Sequence, residues 1–250
     1  MMSTSAIRLS VVMPAYNEEE GIAVAVEAVQ QQVLDRVNAA ELVVVNDGSR
    51  DSTGALLDQM AARDSRIRVV HKANGGHGPA LISGMAAARG EYIFLIDSDN
   101  QIPMEDFAAL WQQVADANLA DANLADGHLA AFGVRRIRHD ATLRRLLTVL
   151  IRVSLFLLFG VRLYDANVPF KVFHRRLWDA ARAHIPDDTL APSLFFAIYT
   201  ARRRERIAFV NVHHKDRETG TVSIKRWKLV RFCARAFRQL LDFRSSLRTA

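Results

Sequence analysis

The sequence predicts an α/β fold: a mostly parallel sheet with helices on both faces, followed by C-terminal amphipathic helices. Short apolar runs alternate with segments of helical period through the first hundred residues, which is the pattern of repeated β-α units. Polar or acidic loops follow three of these runs. Because right-handed crossovers bring such loops to one edge of a parallel sheet, we expect them to line one crevice.

The predicted strands are short, apolar and bounded by turn residues. They cover residues 9–13, 42–45, 67–70 and 92–96. The predicted helices between them cover residues 18–33, 51–62 and 79–88. In each helix apolar residues recur every three or four positions, and Asp51 and Ser52 are candidate N-caps of the second helix.

The fourth predicted strand ends in two aspartates one residue apart, Asp97 and Asp99. Carboxylates at the end of a buried strand require hydrogen bonds or a cation. Hard oxygen ligands at this edge of a sheet suit Mg²⁺ or Mn²⁺, with phosphates completing the coordination shell. Taken alone, such a pair is more often two solvated loop acids that cap the next helix. The other loops decide between these interpretations.

The chain has 250 residues, a formal net charge of +6 and one cysteine, Cys233, which excludes an intramolecular disulfide. Basic residues concentrate at 135–152 and 225–248, which indicates an anionic partner. The longest apolar stretch, 146–161, is interrupted by Arg152 and is too short for the roughly 20 residues that span a bilayer. With no signal-peptide pattern, we expect a cytoplasmic protein, or one bound at the inner membrane face through these basic amphipathic segments. For the C-terminal helix, the alternative is that its aromatic face packs on the protein itself.

Four motifs, in this order and spacing, resemble the family 2 glycosyltransferases of the GT-A fold, in particular the polyprenyl-phosphate (dolichyl-phosphate) sugar synthases. They are Val11-Val-Met-Pro-Ala-Tyr-Asn-Glu, Val44-Val-Asn-Asp-Gly-Ser-Arg-Asp-Ser-Thr, Asn74-x-Gly76-x-Gly78-x-Ala80-x-x-x-Gly84 and Asp97-Ser-Asp99-Asn-Gln101. A looser match to the lipid-phosphate branch comprises Gly133-Val-Arg135-Arg136, Arg144, Asp165-Ala-Asn-Val-Pro-Phe-Lys171 and residues 214–223. The resemblance implies a GT-A domain over residues 1–224, with a nucleotide-sugar half at about 7–103 and an acceptor half at about 104–224. A basic amphipathic helix would follow over residues 225–250.

The resemblance implies an inverting, metal-dependent transfer of a hexose from a nucleoside-diphosphate sugar to a polyprenyl phosphate. The residues that it implies for binding the nucleotide sugar are Pro14, Tyr16, Asn17, Glu18, Asp47, Gly76, Asp97, Ser98 and Arg217. Those implied to hold Mg²⁺ or Mn²⁺ are Asp97, Asp99 and Gln101. Those implied to bind the acceptor are Arg135, Arg136, Arg144 and Lys171. The catalytic candidates are Asp99, Asp165, Arg135 and Arg144.

Two alternatives remain open at the acceptor. A phosphate monoester is ionised near neutral pH and needs no strong general base, whereas a hydroxyl acceptor, such as a saccharide, would make Asp165 the candidate base. Asp165 is equally well explained as the ionic partner of an arginine. His77 is interpreted as a polar loop residue, and His213 and His214 as residues that border the site without binding metal.

Other function classes explain the pattern less well. The first loop lacks the G-x-G-x-x-G motif of dinucleotide-binding enzymes. A non-catalytic protein that binds nucleic acid or membranes would account for the pI of about 9.9 but not for an acidic crevice. We therefore expect no nucleic-acid partner.

Overall fold

The computed structural model describes residues 7–115, 128–135, 152–163, 165, 168–215 and 226–247. The strands are β1 (Leu9–Ala15), β2 (Ala40–Asn46), β3 (Ile67–His71), β4 (Tyr92–Leu95), β5 (Ala130–Arg135), β6 (Lys171–His174) and β7 (Ile207–Val212). The helices are α1 (Ile22–Val29), α2 (Thr53–Arg63), α3 (His77–Ala87), α4 (Phe107–Ala115), α5 (152–159), α6 (Arg175–Arg182), α7 (Pro192–Arg202) and α8 (Arg226–Ser246). A π-helix (Gln30–Leu34) follows α1, and a 3₁₀ helix (Met104–Asp106) precedes α4.

The strands described form one sheet in the order β3-β2-β1-β4-β6-β5-β7. The first four strands are parallel to one another. β6 runs antiparallel to both of its neighbours, β4 and β5, and β7 pairs with β5 in parallel. The predicted mostly parallel sheet is confirmed, with one reversed strand between its two parallel parts.

Side chains alternate between two cores on opposite faces of the sheet, as the pleat of a strand requires. In β4, Tyr92 and Phe94 belong to one core, and Ile93 and Leu95 belong to the other. The first core also takes residues from α1, α2 and α4, and the second from α3, α5, α6, α7 and α8. Since both faces are buried, the first strands read as continuous apolar runs. The prediction of helices on both faces is confirmed.

Each helix boundary lies within four residues of its predicted position, and local hydrogen bonds explain the starts of the first two helices. The first helix begins at Ile22 rather than residue 18, because the Glu18 carbonyl accepts from the amides of Gly21 and Ile22 in a preceding turn. At the start of α2, the Ser52 side chain makes no capping bond. Asp51 replaces it, since its carboxylate accepts the backbone amide of Thr53 at 3.0 Å.

Candidate active site

The loops that follow β1, β2 and β4 meet at the carboxyl-terminal edge of the sheet. They enclose a crevice of about 420 Å³. Its lining consists of Pro14, Ala15, Tyr16, Glu18, Asp47, Asn74, Gly76, His77, Ala80, Asp97, Ser98 and Asp99. A second cavity, of about 40 Å³, shares Asp97 and Asp99 with this crevice. The predicted convergence of three strand-end loops is confirmed, and the two aspartates share a crevice with Asp47 and Glu18.

Asp47 organises the glycine-rich loop that precedes α3. Its carboxylate accepts from Lys72 Nζ at 2.6 Å and from the backbone amides of Gly75 and Gly76 at 2.9 and 2.8 Å. The carboxylate is 3% exposed, and these donors supply the stabilisation that a buried charge requires. Lys72 was not predicted as a partner of Asp47, although a lysine directly after a strand that ends beside an acidic loop is a usable signal.

Gly48 allows the loop after β2 to approach the glycine-rich loop closely. Its φ of +69° lies in the left-handed region, and a Cβ at this position would lie 2.7 Å from the backbone nitrogen of Asn74. The Asn74 side chain also donates to the Asp47 carbonyl at 2.9 Å. A side chain at residue 48 would therefore separate two loops that line the crevice.

The loops after β1 and β2 are joined by reciprocal hydrogen bonds. Asn17 donates its amide to Ser49 Oγ at 3.0 Å, and the Asn17 side-chain oxygen accepts the Arg50 amide at 2.8 Å. The Glu18 amide donates to Thr53 Oγ1 at 2.9 Å. Asn17, with a left-handed φ of 53°, thus braces the crevice from its rim. Among the predicted nucleotide-sugar residues, Pro14, Tyr16 and Glu18 from the same loop line the crevice itself.

His77, at the start of α3, contacts one of the two aspartates. Its Nε2 lies 2.9 Å from Asp97 Oδ1. Burial opposes protonation of the imidazole, but the hydrogen bond to Asp97 and the nearby charges of Asp99 and Asp47 outweigh it and raise the pKa of His77 above its usual value. The interpretation of His77 as a loop residue was incomplete. The structure places its side chain in the crevice, next to the predicted metal ligand.

The aspartate pair fits a divalent cation that is shared with a ligand. Within the parts of the chain that are described, no three His, Cys, Asp or Glu side chains form a metal-binding group. Asp97, Asp99 and Gln101 line the small cavity together, and the backbone N–H of Gln101 donates to Asp99 Oδ1 at 3.2 Å. Two carboxylates and one neutral side-chain amide, each binding through one oxygen, leave half of an octahedral shell to other donors. That donor set suits Mg²⁺ or Mn²⁺ bound jointly with phosphate oxygens, and does not suit a structural zinc site.

Arg135 and Asp165 form a two-point ion pair on the other side of the small cavity. Arg135 donates from Nε and Nη2 to the two carboxylate oxygens at 2.8 and 2.9 Å. The side chains are 18% and 9% exposed, so the pair is poorly screened by solvent. Arg135 lines the same cavity as Asp99. Of the two interpretations of Asp165 that the sequence left open, the pairing with an arginine is the one observed.

Lys171 lies below the site rather than in it. The residue is fully buried, and its ammonium donates to the Val168 carbonyl and, at 2.7 Å, to Ser193 Oγ. Desolvation lowers the pKa of Lys171 to about 7, even though the charges of Asp165 and Asp97 oppose the shift. The structure therefore gives no support to Lys171 as an acceptor-binding residue, because a fully buried ammonium has no surface to offer a ligand.

Three further predicted residues, Arg136, Arg144 and Arg217, lie outside the described residues. Of the two neighbouring histidines, His214 lines the small cavity. His213 is turned to Asp106, with Nδ1 at 3.0 Å from its Oδ1.

Two adjoining surface helices carry exposed apolar side chains. α5 and α8 meet where the rings of Phe159 and Phe243 lie 6.0 Å apart between centroids. Both of those side chains are buried, so each helix does pack on the protein. Among the side chains that the structure describes, the large apolar ones that α5 and α8 expose are Val153, Phe156, Leu157, Phe237 and Leu241, here called the α5–α8 patch. Among the described residues, the structure contains no helix with the length and hydropathy of a membrane span.

A profile of the family described as glycosyl transferase family 2 matches residues 10–177, which is more than half of the chain and includes the whole crevice. The chain belongs to glycosyl transferase family 2. This membership supports an enzyme rather than a non-catalytic protein.

Relatives in this family include two undecaprenyl-phosphate 4-deoxy-4-formamido-L-arabinose transferases. The protein of Pseudomonas fluorescens (strain SBW25) is 28% identical over 234 residues, covering 89% of this chain and 61% of the relative. That of Pseudomonas aeruginosa (strain LESB58) is 27% identical, covering 85% of this chain and 59% of the relative. The chain thus spans about three-fifths of the length of these relatives.

Solved structures of glycosyltransferases share the fold. Glucosyl-3-phosphoglycerate synthase from Mycobacterium tuberculosis, in complex with Mn²⁺, UDP and phosphoglyceric acid, superposes with a TM-score of 0.65 at 23% identity, over 95% of this chain and 78% of that one. S. aureus TarS 1–349 has a TM-score of 0.58 at 18% identity, over 83% of this chain and 60% of that one. The likeness confirms the predicted GT-A type of α/β fold.

Proposed function

We propose that this family 2 glycosyltransferase transfers a hexose from a nucleoside-diphosphate sugar to a polyprenyl phosphate, with inversion at the sugar carbon and with Mg²⁺ or Mn²⁺. The observation that carries the proposal is the position of Asp97 and Asp99. They line both the large crevice, beside Asp47 and Glu18, and the small cavity, beside Arg135. A donor diphosphate held at the two aspartates would thus lie between a nucleoside site and a cationic acceptor site.

The large crevice supplies the donor site. Its volume of about 420 Å³ is within the range of small-molecule pockets. Tyr16 is 43% exposed there and offers a ring face to a nucleobase, while Glu18 and Asp47 border the ribose. Gly76 and the N-terminus of α3 lie at the same wall, where the helix dipole favours phosphate groups. In this proposal the remaining donor residues are Pro14, Ser98 and, outside the described residues, Arg217.

The charge of the crevice makes a cation necessary for a diphosphate. Glu18, Asp47, Asp97 and Asp99 line it, so a diphosphate close to the aspartates would meet negative charge at short range. Asp97, Asp99 and Gln101 are the residues that would hold the cation. When bound, a divalent metal offsets the charge that develops on a departing nucleoside diphosphate. His77 holds Asp97 through its hydrogen bond and thereby limits the orientations of that carboxylate.

The small cavity supplies the acceptor site. Arg135 donates from Nε and Nη2 to Asp165, and this contact fixes the plane of the guanidinium group. In this proposal Nη1 donates to the acceptor phosphate. A phosphate monoester is recognised well by such a fork. Because the acceptor phosphate is already ionised, positioning and electrostatics would carry the reaction without a general base. In this proposal Arg136 and Arg144 add further positive charge.

A hydroxyl acceptor remains the second candidate, since one observation favours it. Asp165 lies beside the small cavity through its contact with Arg135, a position from which a carboxylate could serve a hydroxyl acceptor as base. The Mycobacterium tuberculosis synthase with a similar fold binds phosphoglyceric acid. Against it, the ion pair with Arg135 stabilises the ionised form of Asp165 and so weakens it as a base.

A membrane contact follows from the lipid acceptor. The α5–α8 patch lies beside exposed Arg152 and Arg162, and the Arg162 guanidinium is 5.4 Å from the centre of the Phe156 ring. Apolar side chains next to arginines are the surface that binds an anionic lipid interface. We propose that this surface binds the inner face of the membrane.

Single-turnover transfer assays test the proposed function. The purified chain would be incubated with each of a panel of UDP- and GDP-sugars, with Mg²⁺ or Mn²⁺, and with either polyprenyl phosphate or a dephosphorylated polyprenol. We expect sugar transfer only with the phosphorylated lipid and only with metal. Transfer to polyprenol at the same rate would favour the hydroxyl acceptor. Absence of transfer to any acceptor, together with absence of nucleotide binding, would contradict both.

A further inference from the structure

A chain of hydrogen bonds leads from the outer surface of the sheet edge to the nucleoside side of the crevice. Asp58 on α2 lies 2.9 Å from Nε2 of His71, the last residue of β3. Nδ1 of His71 lies 3.0 Å from the side-chain nitrogen of Asn46, the last residue of β2. The side-chain oxygen of Asn46 accepts the backbone amide of Ser49 at 3.0 Å. We call this series the Asp58–His71–Asn46 relay.

The chemistry of Asn46 fixes the direction of every bond in the relay. Its oxygen accepts the Ser49 amide, so its NH₂ group faces His71. An amide NH₂ can only donate. Nδ1 of His71 must therefore accept, the ring proton must be on Nε2, and Asp58 must accept that proton's hydrogen bond. One tautomer of one histidine thus determines which way the Asn46 amide points.

The relay ends at the rim of the donor crevice. Ser49, whose amide Asn46 holds, presents its Oγ to the Asn17 amide at 3.0 Å. The intervening residue, Asp47, lines the crevice and holds the glycine-rich loop. Residues 46–49 therefore form a turn with a crevice residue inside it and a contact to the neighbouring loop at its end.

The close packing around Gly54 indicates independently that the Asn46 side chain has little room to move. A Cβ at Gly54 would lie 2.8 Å from the Asn46 side-chain nitrogen and 3.7 Å from Cε1 of His71. Asn46 is buried, whereas His71 and Asp58 have side chains that are 47% and 62% exposed. The inner end of the relay is thus closely packed, while its outer end is accessible to mutation with little risk to the fold.

We propose that His71 is a positioning residue for nucleoside binding: by orienting the Asn46 amide, it holds the turn of residues 46–49 in the conformation that shapes the donor crevice. It does not line the crevice and so acts through Asn46. The inference rests on the proposed function for the identity of the ligand. The positioning itself does not depend on any ligand.

Amide hydrogen exchange of the ligand-free protein tests the positioning. We expect His71→Ala to speed exchange of the Ser49 and Arg50 amides by about tenfold, since one orienting hydrogen bond is lost. His71→Asn keeps a side-chain oxygen near the place of Nδ1 and should restore slow exchange, whereas His71→Gln places its amide further out and should not. Unchanged exchange at Ser49 in His71→Ala overturns the proposal.

Kinetics and nucleotide binding test the consequence for the site. We expect His71→Ala to raise KM for the nucleotide sugar, and the dissociation constant of the nucleoside diphosphate with Mn²⁺, by about tenfold, with kcat changed less than threefold. His71→Asn should again restore both. The matched control is His174→Ala, which removes another histidine–carboxylate contact, 3.5 Å to Glu91, outside the crevice.

The outcomes separate this inference from the proposed function. A fall in kcat without a change in KM, or an equal effect of His174→Ala, overturns the positioning role. Failure of the wild-type protein to bind any nucleoside diphosphate would contradict the proposed function instead. The hydrogen-exchange result would still decide whether His71 holds the turn.

Discussion

The two sides of the site are built in different ways. The crevice proposed to hold the donor is made from loops that follow β1, β2 and β4, which are parallel and neighbouring strands. Each loop is held by the next, as Asn17 is by Ser49 and Asp47 by Gly75. The proposed acceptor side instead depends on β5, which in the described sheet is joined to the first four strands through the antiparallel β6.

The two sides differ in the interactions that hold their proposed binding groups in place. On the donor side, backbone amides and short side chains fix the loops, so the crevice is preorganised before a ligand arrives. On the acceptor side, one ion pair between Arg135 and Asp165, 30 residues apart, orients the described cation. We therefore expect variants on the two sides to alter different kinetic constants, and the shared Asp97 and Asp99 to affect both.

The largest effect is expected where the two sides meet. Asp99→Asn keeps the size of the side chain but removes the charge of a proposed metal ligand. We expect kcat for sugar transfer to fall by about a thousandfold or more, because the charge of the departing diphosphate would be poorly offset. Single-turnover assays with Mn²⁺ measure this.

The control for this variant is Asp179→Asn, at an exposed position on α6 outside the crevice, which should transfer sugar at the wild-type rate. Circular dichroism and the thermal midpoint of both variants should match those of the wild type. An active Asp99→Asn protein would argue against the shared metal site that joins the two sides.

How far sequence could predict the structure also differs between the two sides. The first four strands and the meeting of their loops follow from local signals, namely short apolar runs, the Asp47-Gly48 turn and two carboxylates at the end of a strand. Later strands pair with partners that are distant in sequence. The apolar pattern of a strand does not indicate whether its neighbour in the sheet runs parallel or antiparallel to it. The reversal at β6, and with it the burial of Lys171, therefore could not be predicted.

Individual side chains show the same dependence on separation along the chain. Asp97 and Asp99 were identified because their spacing is local, whereas Lys72 and His71 act on residues that are 25 positions away in sequence. The partner of Asp165 was left open between two interpretations, because only the fold brings Arg135 to it. Sequence thus predicted the side chains that line the large crevice better than the contacts around the small cavity.

A second prediction separates acceptor from donor binding. Arg135→Gln removes the charge that faces the small cavity but keeps hydrogen-bond donors. We expect KM for polyprenyl phosphate to rise by about thirtyfold, the cost of one charge-assisted contact, with KM for the nucleotide sugar nearly unchanged. Steady-state kinetics with each substrate varied in turn measure both constants.

Asp165→Asn is the companion variant, because it keeps the shape of the Arg135 partner. With a phosphate acceptor, we expect kcat to fall less than tenfold. If the acceptor is a hydroxyl and Asp165 is the base, the fall should be about 100-fold or more. Equal changes in both KM values for Arg135→Gln would contradict the division of the site.

A third prediction concerns the stability of the acceptor side. The pKa of Lys171 is lowered from 10.5 to about 7 by desolvation, so between those pH values the unfolded chain binds more protons than the folded protein. The free energy of unfolding should therefore rise with pH from about 7 upwards. Lys171→Met removes this contribution, and its free energy of unfolding should rise less steeply, by up to about 1.4 kcal/mol per pH unit.

Guanidinium chloride unfolding at pH 6, 7, 8 and 9 measures the difference between the two slopes. Lys215→Met, at an exposed lysine, is the control and should follow the wild-type pH dependence. If the curves of Lys171→Met and the wild type run parallel, the ammonium is not desolvated as the structure shows.

The smallest effect is expected at the α5–α8 patch, which would bring the acceptor side to its lipid. Leu157, 70% exposed on α5, is replaced by Glu. The variant loses apolar contact and gains a charge that anionic lipids repel, so partitioning onto vesicles rich in phosphatidylglycerol should fall by about fivefold. Point variants serve better than removal of α8, because α8 contributes Phe243 to the core. Val24→Glu is the matched control, since Val24 on α1 is 59% exposed and is not one of the buried residues of that helix. An equal loss for both variants would mean that binding follows net charge alone and that the acceptor side has no lipid-facing surface of its own.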